Sequence, residues 1–207
     1  HFTTPEVYGD TKKEWISETN YFSPTTPYAV SRAACDLHLE SFRKAYNFPV
    51  VFTRAANVYG PGQQLYRIIP RTILSCFSRK KLYLHGNGTS ERSFIYIKDA
   101  IKAPVNISLN GEIGSTFHIS TQEAISIKDL VMFICKKLDV GFDEIVNYKE
   151  ERLGKDQSYF LDSTKLRERF NWIEDYNLEQ GILETIRWVE NNYNQMKNLS
   201  WEYEHKI

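Results

Sequence analysis

FPVVFTRAANVYG, residues 48–60, is a run of β-branched and apolar side chains that ends at Gly60. It predicts a buried strand that stops in a loop. Before it, apolar and small side chains recur at helical spacing over residues 28–46, after a polar, Pro-rich stretch. HFTT at residues 1–4 predicts an earlier strand. Strand, helix and strand in this order favour parallel pairing in an open α/β sheet, whose ligands bind where the strands end.

The rest of the chain predicts shorter elements that again alternate between strand and helix. Ser126 is the expected N-cap of one of these helices. The predicted elements are a helix at 68–80, a strand at 81–86, strand-then-helix pairs at 87–107 and 114–138, and a last amphipathic helix at 178–193. They indicate a smaller α/β lobe.

Charge and hydropathy exclude several classes of partner. Lys plus Arg and Asp plus Glu both number 26, so the net charge gives no field that attracts nucleic acid or an anionic membrane. No apolar run approaches the roughly 20 residues of a membrane span. We therefore predict a globular protein in the cytoplasm. The chain opens with His1 in an apolar stretch, and we interpret it as a fragment.

Three cysteines, Cys35, Cys76 and Cys135, are widely spaced and lie in helix-like segments. An odd number with this spacing predicts buried, reduced thiols rather than disulfides or metal ligands. No metal site is predicted.

Tyr28 and Arg32 lie four residues apart, so both side chains project from one face of the predicted helix. A cation one turn away can lower the pKa of a phenol and make it an acid or a base. Taken alone, the spacing favours a solvated surface pair, because such pairs are common on helices.

Four segments give this pair a context, because they occur in the order TTPEVYGD (3–10), SPTTPYAVSRAACD (23–36), TRAANVYGPGQ (53–63) and SERSFIYIKD (90–99). This order resembles the extended short-chain dehydrogenase/reductase family, the NAD-dependent epimerases and dehydratases of nucleotide sugars. The sequence of residues 23–36 is most similar to that of the dTDP-glucose type of 4,6-dehydratase. The resemblance implies that Thr4 and Tyr28 surround the 4-hydroxyl of the sugar and that Tyr28 takes its proton while NAD takes the hydride.

Two positions depart from the family. Its dehydratases carry Thr, Asp and Glu before VYGD, where this chain has Thr4, Pro5 and Glu6. Glu6 is thus the implied base at C5, but Pro5 has no side-chain proton to give to O6. Arg32 stands where the family has Lys; it keeps the positive charge but does not relay protons.

The resemblance also implies the remaining ligand-binding residues. Ala55 would lie against the nicotinamide of NAD. Tyr28 and Arg32 would also contact the cofactor. Arg92 is implied as a ligand of the diphosphate or ribose and is the preferred substrate contact, because arginine can grip phosphate with two hydrogen bonds. The other implied substrate ligands are Asn57, Arg67, His85 and Arg152, with Lys155 nearby in the sequence. A surface salt bridge is the alternative for each arginine.

The resemblance implies a fold that combines the C-terminal part of a Rossmann-like doubly wound parallel sheet with a smaller α/β substrate-binding lobe. Residues 1–62 would belong to the NAD domain, and residues 63–207 mainly to the sugar-nucleotide lobe, with some segments returning to the Rossmann domain. The Gly-rich turn that holds the NAD pyrophosphate does not occur in this sequence. NAD is therefore implied by the resemblance alone.

The expected function is that of an NAD-dependent nucleotide-sugar 4,6-dehydratase, acting on a nucleotide-diphosphate sugar. An epimerase or decarboxylase of the same family, and a non-catalytic relative that binds the nucleotide sugar, are the alternatives. Glu6 favours the lyase over the epimerase, since 4-epimerases of the family usually lack Glu at this place. The resemblance further implies a homodimer through the helix that carries Tyr28, which the apolar content of residues 28–46 allows.

Overall fold

The computed structural model describes residues 1–151 and 156–202. The strands are β1 (Phe2–Thr3), β2 (Phe52–Ala55), β3 (Asn57–Tyr59), β4 (Leu82–His85), β5 (Glu91–Arg92), β6 (Phe94–Tyr96), β7 (Thr116–Ile119), β8 (Ile125–Ser126), β9 (Val146–Lys149) and β10 (Ser158–Tyr159). The helices are α1 (Pro27–Tyr46), α2 (Ile68–Ser78), α3 (Ile97–Asn110), α4 (Ile127–Lys137), α5 (Phe142–Ile145), α6 (Thr164–Phe170) and α7 (Leu178–Met196), with short 3-10 turns at Pro5–Tyr8 and Gly86–Gly88.

The chain forms two compact units. Unit 1 comprises His1–Val58, Ser90–Ala124 and Leu153–Asp175, and unit 2 comprises Tyr59–Thr89, Ile125–Arg152 and Tyr176–Ile207. The assignment of residues 1–62 to cofactor binding and of residues 63–207 mainly to substrate binding stays a prediction.

Unit 1 is built on a parallel sheet in the order β1-β2-β7. Helix α1 connects β1 to β2, so the predicted strand–helix–strand unit and its parallel pairing are confirmed. One core cluster joins this sheet to α3 and α6; its buried members are Ala56, Ile95, Ala100, Ala103, Ile107, Phe117, Ile119, Leu166 and Trp172.

The predicted strand at residues 48–60 is shorter than expected and is interrupted. Strand β2 ends at Ala55, the N–H of Ala56 still donates to the carbonyl of Ile119, and β3 then leaves the sheet to pair with β6. The chain therefore turns away from the main sheet at the point where the predicted ligand site begins.

Helix α1 begins where its sequence signals place it. Thr26 is the N-cap, its hydroxyl accepting from the N–H of Ala29 at 3.2 Å, and Pro27 fills the first position, where no N–H is needed. Only Ala29, Ala33 and Asp36 of this helix are buried. Cys35 therefore lies on the exposed face, so the prediction of a buried thiol is wrong for it.

Unit 2 contains the parallel pair β4–β9, with α2 packed against α4 and α7. Its core cluster contains Cys76, Leu82, Leu84, Val131, Cys135, Val140, Ile145 and Val146. Cys76 and Cys135 are buried and free, as predicted, and their sulfur atoms lie 3.9 Å apart. Ser126 caps α4, as predicted, accepting from the N–H of Asp129 at 3.0 Å. Within the described ranges, no helix combines the length and apolar character needed to cross a membrane.

A buried ion pair fastens α1 to the centre of the sheet in unit 1. Arg54 of β2 and Asp36 of α1 are 1% and 3% exposed and meet at 2.7 Å. Arg54 also donates to the hydroxyl of Tyr8 at 3.0 Å, and this hydroxyl lies 2.9 Å from Nε2 of His118. Nδ1 of His118 lies 3.1 Å from the carbonyl oxygen of Asp162, which can only accept, so the proton of the neutral ring sits on Nδ1, and Nε2 accepts from the hydroxyl of Tyr8.

Asp36→Ala should lower the free energy of unfolding by about 3–5 kcal/mol, because it leaves the guanidinium of Arg54 buried without its carboxylate. The matched control is Glu40→Ala on the same helix, which removes a half-exposed pair with Arg43 and should cost less than about 1 kcal/mol. Urea unfolding of the protein measures both. Equal losses in the two variants would show that the pair does not anchor the helix.

The buried imidazole of His118 should make stability depend on pH. Burial, followed by the charge of Arg54, lowers its pKa from 6.5 to about 3. Between these values the unfolded chain binds a proton that the folded protein does not, so the free energy of unfolding falls as the pH falls, by about 1.4 kcal/mol per pH unit. Urea unfolding at about pH 7 and about pH 5 should show a loss of about 2 kcal/mol. His118→Gln should remove this part of the loss, whereas His38→Gln on the exposed face of α1 should leave it in place.

Candidate functional site

The segment that follows β1 holds Thr4 and Glu6 in a short 3-10 turn. The hydroxyl of Thr4 accepts from the N–H of Glu6 at 3.4 Å, and Pro5 occupies the first helical position. Val7 and Tyr8 anchor the turn because they are buried against Ala33 of α1. Glu6, between these buried residues, is half-buried. The turn thus gives the carboxylate of Glu6 a fixed backbone and a partly dry environment.

Arg92 and Tyr159 are the charged and aromatic neighbours of Glu6. Burial lowers the pKa of Arg92, whereas its interactions with Tyr159, Asp156, Glu6 and Asp10 raise it. Burial is also the main cause that raises the pKa of Tyr159, followed by its hydrogen bond to Asp156 and the charge of Glu6. The phenol of Tyr159 is therefore held neutral, and Arg92 is a cation shared by several carboxylates.

The guanidinium of Arg92 points into unit 1 and is only 6% exposed. It donates to the carbonyl oxygens of Glu91, Asp156 and Gln157 at 2.7–2.8 Å and lies 4.2 Å from the centre of the Tyr159 ring. The sequence did not predict this inward placement. A role in binding the diphosphate stays a prediction for Arg92, but much of its hydrogen-bonding capacity is used inside the protein.

The carboxylates of Asp156 and Asp10 accept hydrogen bonds from neighbouring loops. Asp156 accepts from the hydroxyl of Thr25 at 2.9 and 3.0 Å and from the hydroxyl of Tyr159 at 2.8 Å. Asp10 accepts from the N–H groups of Gln157 and Ser158 at 3.2 and 3.1 Å. These hydrogen bonds also lower the pKa of Asp10 against the opposing effect of its burial.

Sequence reasoning did not assign roles to Asp10, Thr25, Asp156 and Tyr159. Asp10 and Thr25 lie inside two of the quoted segments, but they interact with residues more than 130 positions away along the chain. The signal that could have found Asp156 and Tyr159 is the sequence DQSYFLD at residues 156–162, which resembles a segment of the family. The sequence alone does not show which loops these side chains contact.

Tyr28 and Arg32 lie in the first turns of α1. Tyr28 is 54% exposed, and the 3-10 turn that carries Glu6 packs against the same helix. Arg32 donates to the carbonyl of Phe2 in β1, and within the described chain no hydrogen bond joins it to Tyr28. The Nε of Arg32 is buried and has no partner among the described residues. Arg32 thus contacts the sheet, and its expected electrostatic effect on Tyr28 stays a prediction.

Ala55 and Asn57 occupy the point where β2 ends and β3 begins. Ala55 is half-buried, and the N–H of Asn57 donates to the carbonyl of Ser93 at 3.1 Å. Asn57 is thereby held beside the strand that follows Arg92. Unit 1 thus contains Thr4, Glu6, Tyr28, Arg32, Ala55, Asn57 and Arg92.

Two further predicted ligands, Arg67 and His85, belong to unit 2. Arg67 is exposed at the start of α2, with its guanidinium 5.4 Å from the ring centre of Tyr66. His85 ends β4, and its Nδ1 lies 2.8 Å from the carbonyl of Glu150. Arg152 and Lys155 lie outside the described residues. Substrate binding by these residues stays a prediction.

Comparisons with known proteins identify what the chain is similar to. A family model described as GDP-mannose 4,6 dehydratase matches residues 1–185. A trifunctional UDP-glucose 4,6-dehydratase/3,5-epimerase/reductase of Arabidopsis thaliana is 34% identical over 93% of this chain and 29% of its own length. The dTDP-glucose 4,6-dehydratase of Escherichia coli is 30% identical over 93% of this chain and 59% of its own length.

A solved structure supports the same relationship. The dTDP-glucose 4,6-dehydratase DesIV of Streptomyces venezuelae, solved with NAD bound, superposes with a TM-score of 0.92 at 26% identity, over 97% of this chain and 62% of that one. The predicted Rossmann-like α/β fold class is confirmed by this match. The chain spans about three fifths of the single-function dehydratases that it matches.

Gly9→Ala should disrupt the turn that carries Glu6. Gly9 has a φ of 72°, and a Cβ there would collide with the carbonyl oxygen of Ser23. Gly62→Ala is the control, because Gly62 also has a positive φ, 86°, but no described atom lies within 4 Å of its would-be Cβ. Both variants bear the backbone penalty of about 1–2 kcal/mol, and Gly9→Ala should lose about 2 kcal/mol more through the collision. Similar unfolding free energies of the two variants would contradict the close approach.

Proposed function

Because the chain belongs to the GDP-mannose 4,6 dehydratase family, we propose that it is the part of an NAD-dependent nucleotide-sugar 4,6-dehydratase that contains the catalytic residues. The dTDP-glucose type is favoured by residues 23–36 and by the similarity to the dTDP-glucose dehydratases of Escherichia coli and Streptomyces venezuelae. The reaction removes water across C5 and C6 of the hexose.

The observation that carries this proposal is the placement of Glu6. Its carboxylate is half-buried on a capped turn, close to the cation Arg92, and the turn packs against the helix of Tyr28. A carboxylate beside a buried cation stays charged and can accept a proton. A hydroxyl on the neighbouring helix supplies a second acid–base group.

Thr4 and Tyr28 would act on the 4-hydroxyl of the sugar, with Tyr28 taking its proton. Glu6 would take the proton from C5. Pro5 has no proton to give, so the acid formed at Glu6 is the group on this turn that can protonate O6 as the C6–O bond breaks. One side chain would then move a single proton from C5 to the departing water, which restores the charge of Glu6. When C6 gains its hydride, C5 would take a proton that comes from solvent.

The residues present fit the reactive end of NAD. The small side chain of Ala55 at the end of β2 leaves room for a flat ring, and the buried Nε of Arg32, unpaired in the described chain, suits a ribose oxygen. When bound, NAD would supply reversible hydride acceptance, first from C4 and finally in return to C6. Tyr28 would lie between cofactor and sugar.

Substrate binding would involve Asn57 and Arg92, and the further expected ligands are Arg67, His85 and Arg152. Asn57 is supported by its position beside the strand that follows Arg92. Arginine side chains at several of these positions suit a diphosphate, which accepts bidentate hydrogen bonds.

A homodimer through α1 is supported by the apolar side chains that this helix leaves exposed. Val30, Leu37 and Phe42 are 40–57% exposed, which is unusual for residues of this type on one helix. A cytoplasmic location is supported by the three free cysteines.

The intact protein, incubated with NAD and either dTDP-glucose, UDP-glucose or GDP-mannose, should convert one of them with a loss of about 18 mass units. Glu6→Gln and Tyr28→Phe should each slow this conversion at least about 100-fold, because each removes an acid–base group. Tyr21→Phe, 79% exposed and seven residues before Tyr28, is the matched control and should leave the rate unchanged. Mass spectrometry of the sugar nucleotide measures all four proteins.

Other outcomes assign other functions. Turnover at unchanged mass would indicate an epimerase, and loss of carbon dioxide from a uronic acid substrate would indicate a decarboxylase. Binding of nucleotide sugar without turnover in the wild-type protein would identify a non-catalytic relative.

A further inference from the structure

We propose that residues 156–159, the positioning segment, set the placement of Glu6 relative to Tyr28, and that Asp156 is the positioning residue at its centre. This inference rests on the proposed function, because it assigns a role in aligning the acid–base groups. The segment acts on the loops that carry the two groups.

The first contact fixes the start of the Tyr28 helix. Asp156 is 5% exposed, and both of its carboxylate oxygens accept from the hydroxyl of Thr25, at 3.0 and 2.9 Å. Thr25 immediately precedes Thr26, the N-cap of α1. Since Tyr28 lies two residues after this cap, a shift of Thr25 moves the first turn of the helix and the hydroxyl of Tyr28 with it.

The second contact fixes the loop of Glu6. Asp10 follows the 3-10 turn by two residues, and its carboxylate accepts from the N–H groups of Gln157 and Ser158 and from the hydroxyl of Ser158 at 2.9–3.2 Å. The turn can therefore not move along the protein surface without breaking three hydrogen bonds to the positioning segment.

A third set of contacts joins the two loops to each other. The N–H of Ser23 donates to the carbonyl of Val7 at 2.9 Å, and the backbone of Gly9 approaches the carbonyl of Ser23 closely. The Glu6 loop, the loop before α1 and the positioning segment are thus bonded in all three pairs. Three bodies that are joined pairwise have little freedom to change their relative positions.

The segment also controls the surroundings of Glu6. The hydroxyl of Tyr159 donates to Asp156 at 2.8 Å, which orients the ring, and the ring in turn lies 4.2 Å from the guanidinium carbon of Arg92. Arg92 is held in addition by the carbonyl of Asp156 at 2.8 Å. The cation near Glu6 therefore takes its position from the same four residues.

The side chain of Asp156 joins the two loops through its acceptor oxygens. Among the described residues it accepts from the hydroxyls of Thr25 and Tyr159, and the cation Arg92 lies near it. Asn could form hydrogen bonds with both hydroxyls, because it has an acceptor oxygen and a donor nitrogen. The positioning role therefore requires the hydrogen bonds of this side chain and not its charge.

The test compares the intact, NAD-loaded wild-type protein with Thr25→Val and Tyr159→Phe, which each remove one hydroxyl of the network. With dTDP-glucose as substrate, kcat should fall about 10- to 100-fold, because a displacement of about 1 Å at the reacting groups has this effect. KM should stay within about twofold, since neither variant removes the carbonyl oxygens of Glu91, Asp156 and Gln157 that hold the expected substrate ligand Arg92. In deuterium oxide, Tyr159→Phe should also slow the exchange of the C5 hydrogen, which reports on Glu6.

Matched controls come from the same loop. Thr19→Val removes a hydroxyl that accepts from the N–H of Tyr21, and Tyr21→Phe removes an exposed phenol. Both should leave kcat and KM unchanged. Asp156→Asn, which can keep both hydrogen bonds, should retain activity within about threefold, whereas Asp156→Ala should lose it. The melting temperatures of Thr25→Val and Tyr159→Phe should stay within about 4 °C of the wild type, which separates misplacement from unfolding.

Unchanged kcat in Thr25→Val and Tyr159→Phe would overturn the inference, as would a rise in KM alone, which would make these residues substrate ligands. Asp156→Asn as inactive as Asp156→Ala would overturn it in favour of a role for the charge itself. The wild-type protein reports separately on the proposed function. If it turns over without loss of water, the dehydratase assignment fails while the ratio of variant to wild-type turnover still tests the positioning segment; if it shows no turnover, both fail.

Discussion

The buried ion pair between Arg54 and Asp36 is the interaction on which the rest of unit 1 depends. It joins the middle strand of the sheet to the helix that carries Tyr28, with the two groups 2.7 Å apart and almost completely enclosed. The cost of burying these charges is partly offset by further groups, since Arg54 also donates to the hydroxyl of Tyr8 and Asp36 lies 3.0 Å from Nε2 of His1. Arg54 reaches the hydroxyl of Tyr8 and, through it, the ring of His118, so strand, helix and the end of the Glu6 turn share one network.

Much of the fold follows from local patterns in the sequence. Helix α1 has a Thr N-cap, a Pro in its first position and small residues on its buried face, so its bounds and its parallel crossover could be predicted. The interruption of the strand at Ala56 could not, because Ala55, Ala56 and Val58 continue the apolar pattern, and the break depends on a second partner, β6, far along the chain. Cys35 was misplaced because helical spacing does not tell which face of a helix has a partner to cover it.

In the candidate site, too, some residues could be predicted from the sequence and others could not. Thr4, Glu6, Tyr28 and the family relationship could be predicted, since four quoted segments occur in a specific order, and the relationship is confirmed. The supporting residues could not, because the bonds of Asp10 and Thr25 to residues 156–158 connect positions that no period or spacing relates. Arg92 shows the limit of a residue-by-residue match. The match to the family motif identifies Arg92, but its guanidinium points inward because it contacts backbone carbonyl oxygens and the ring of Tyr159.

The position of Asp36 within α1 has a mechanical consequence. The helix runs from Pro27 to Tyr46, so the buried ion pair lies near its midpoint and acts as a pivot, with Tyr28 about 12 Å away on one side at about 1.5 Å per residue. A rotation of the helix by about 5° around this pivot would displace the phenol of Tyr28 by about 1 Å, enough to affect a reacting group. The opposite arm carries the exposed Phe42 and Tyr46, so a molecule that bound there would be coupled through this pivot to the position of Tyr28.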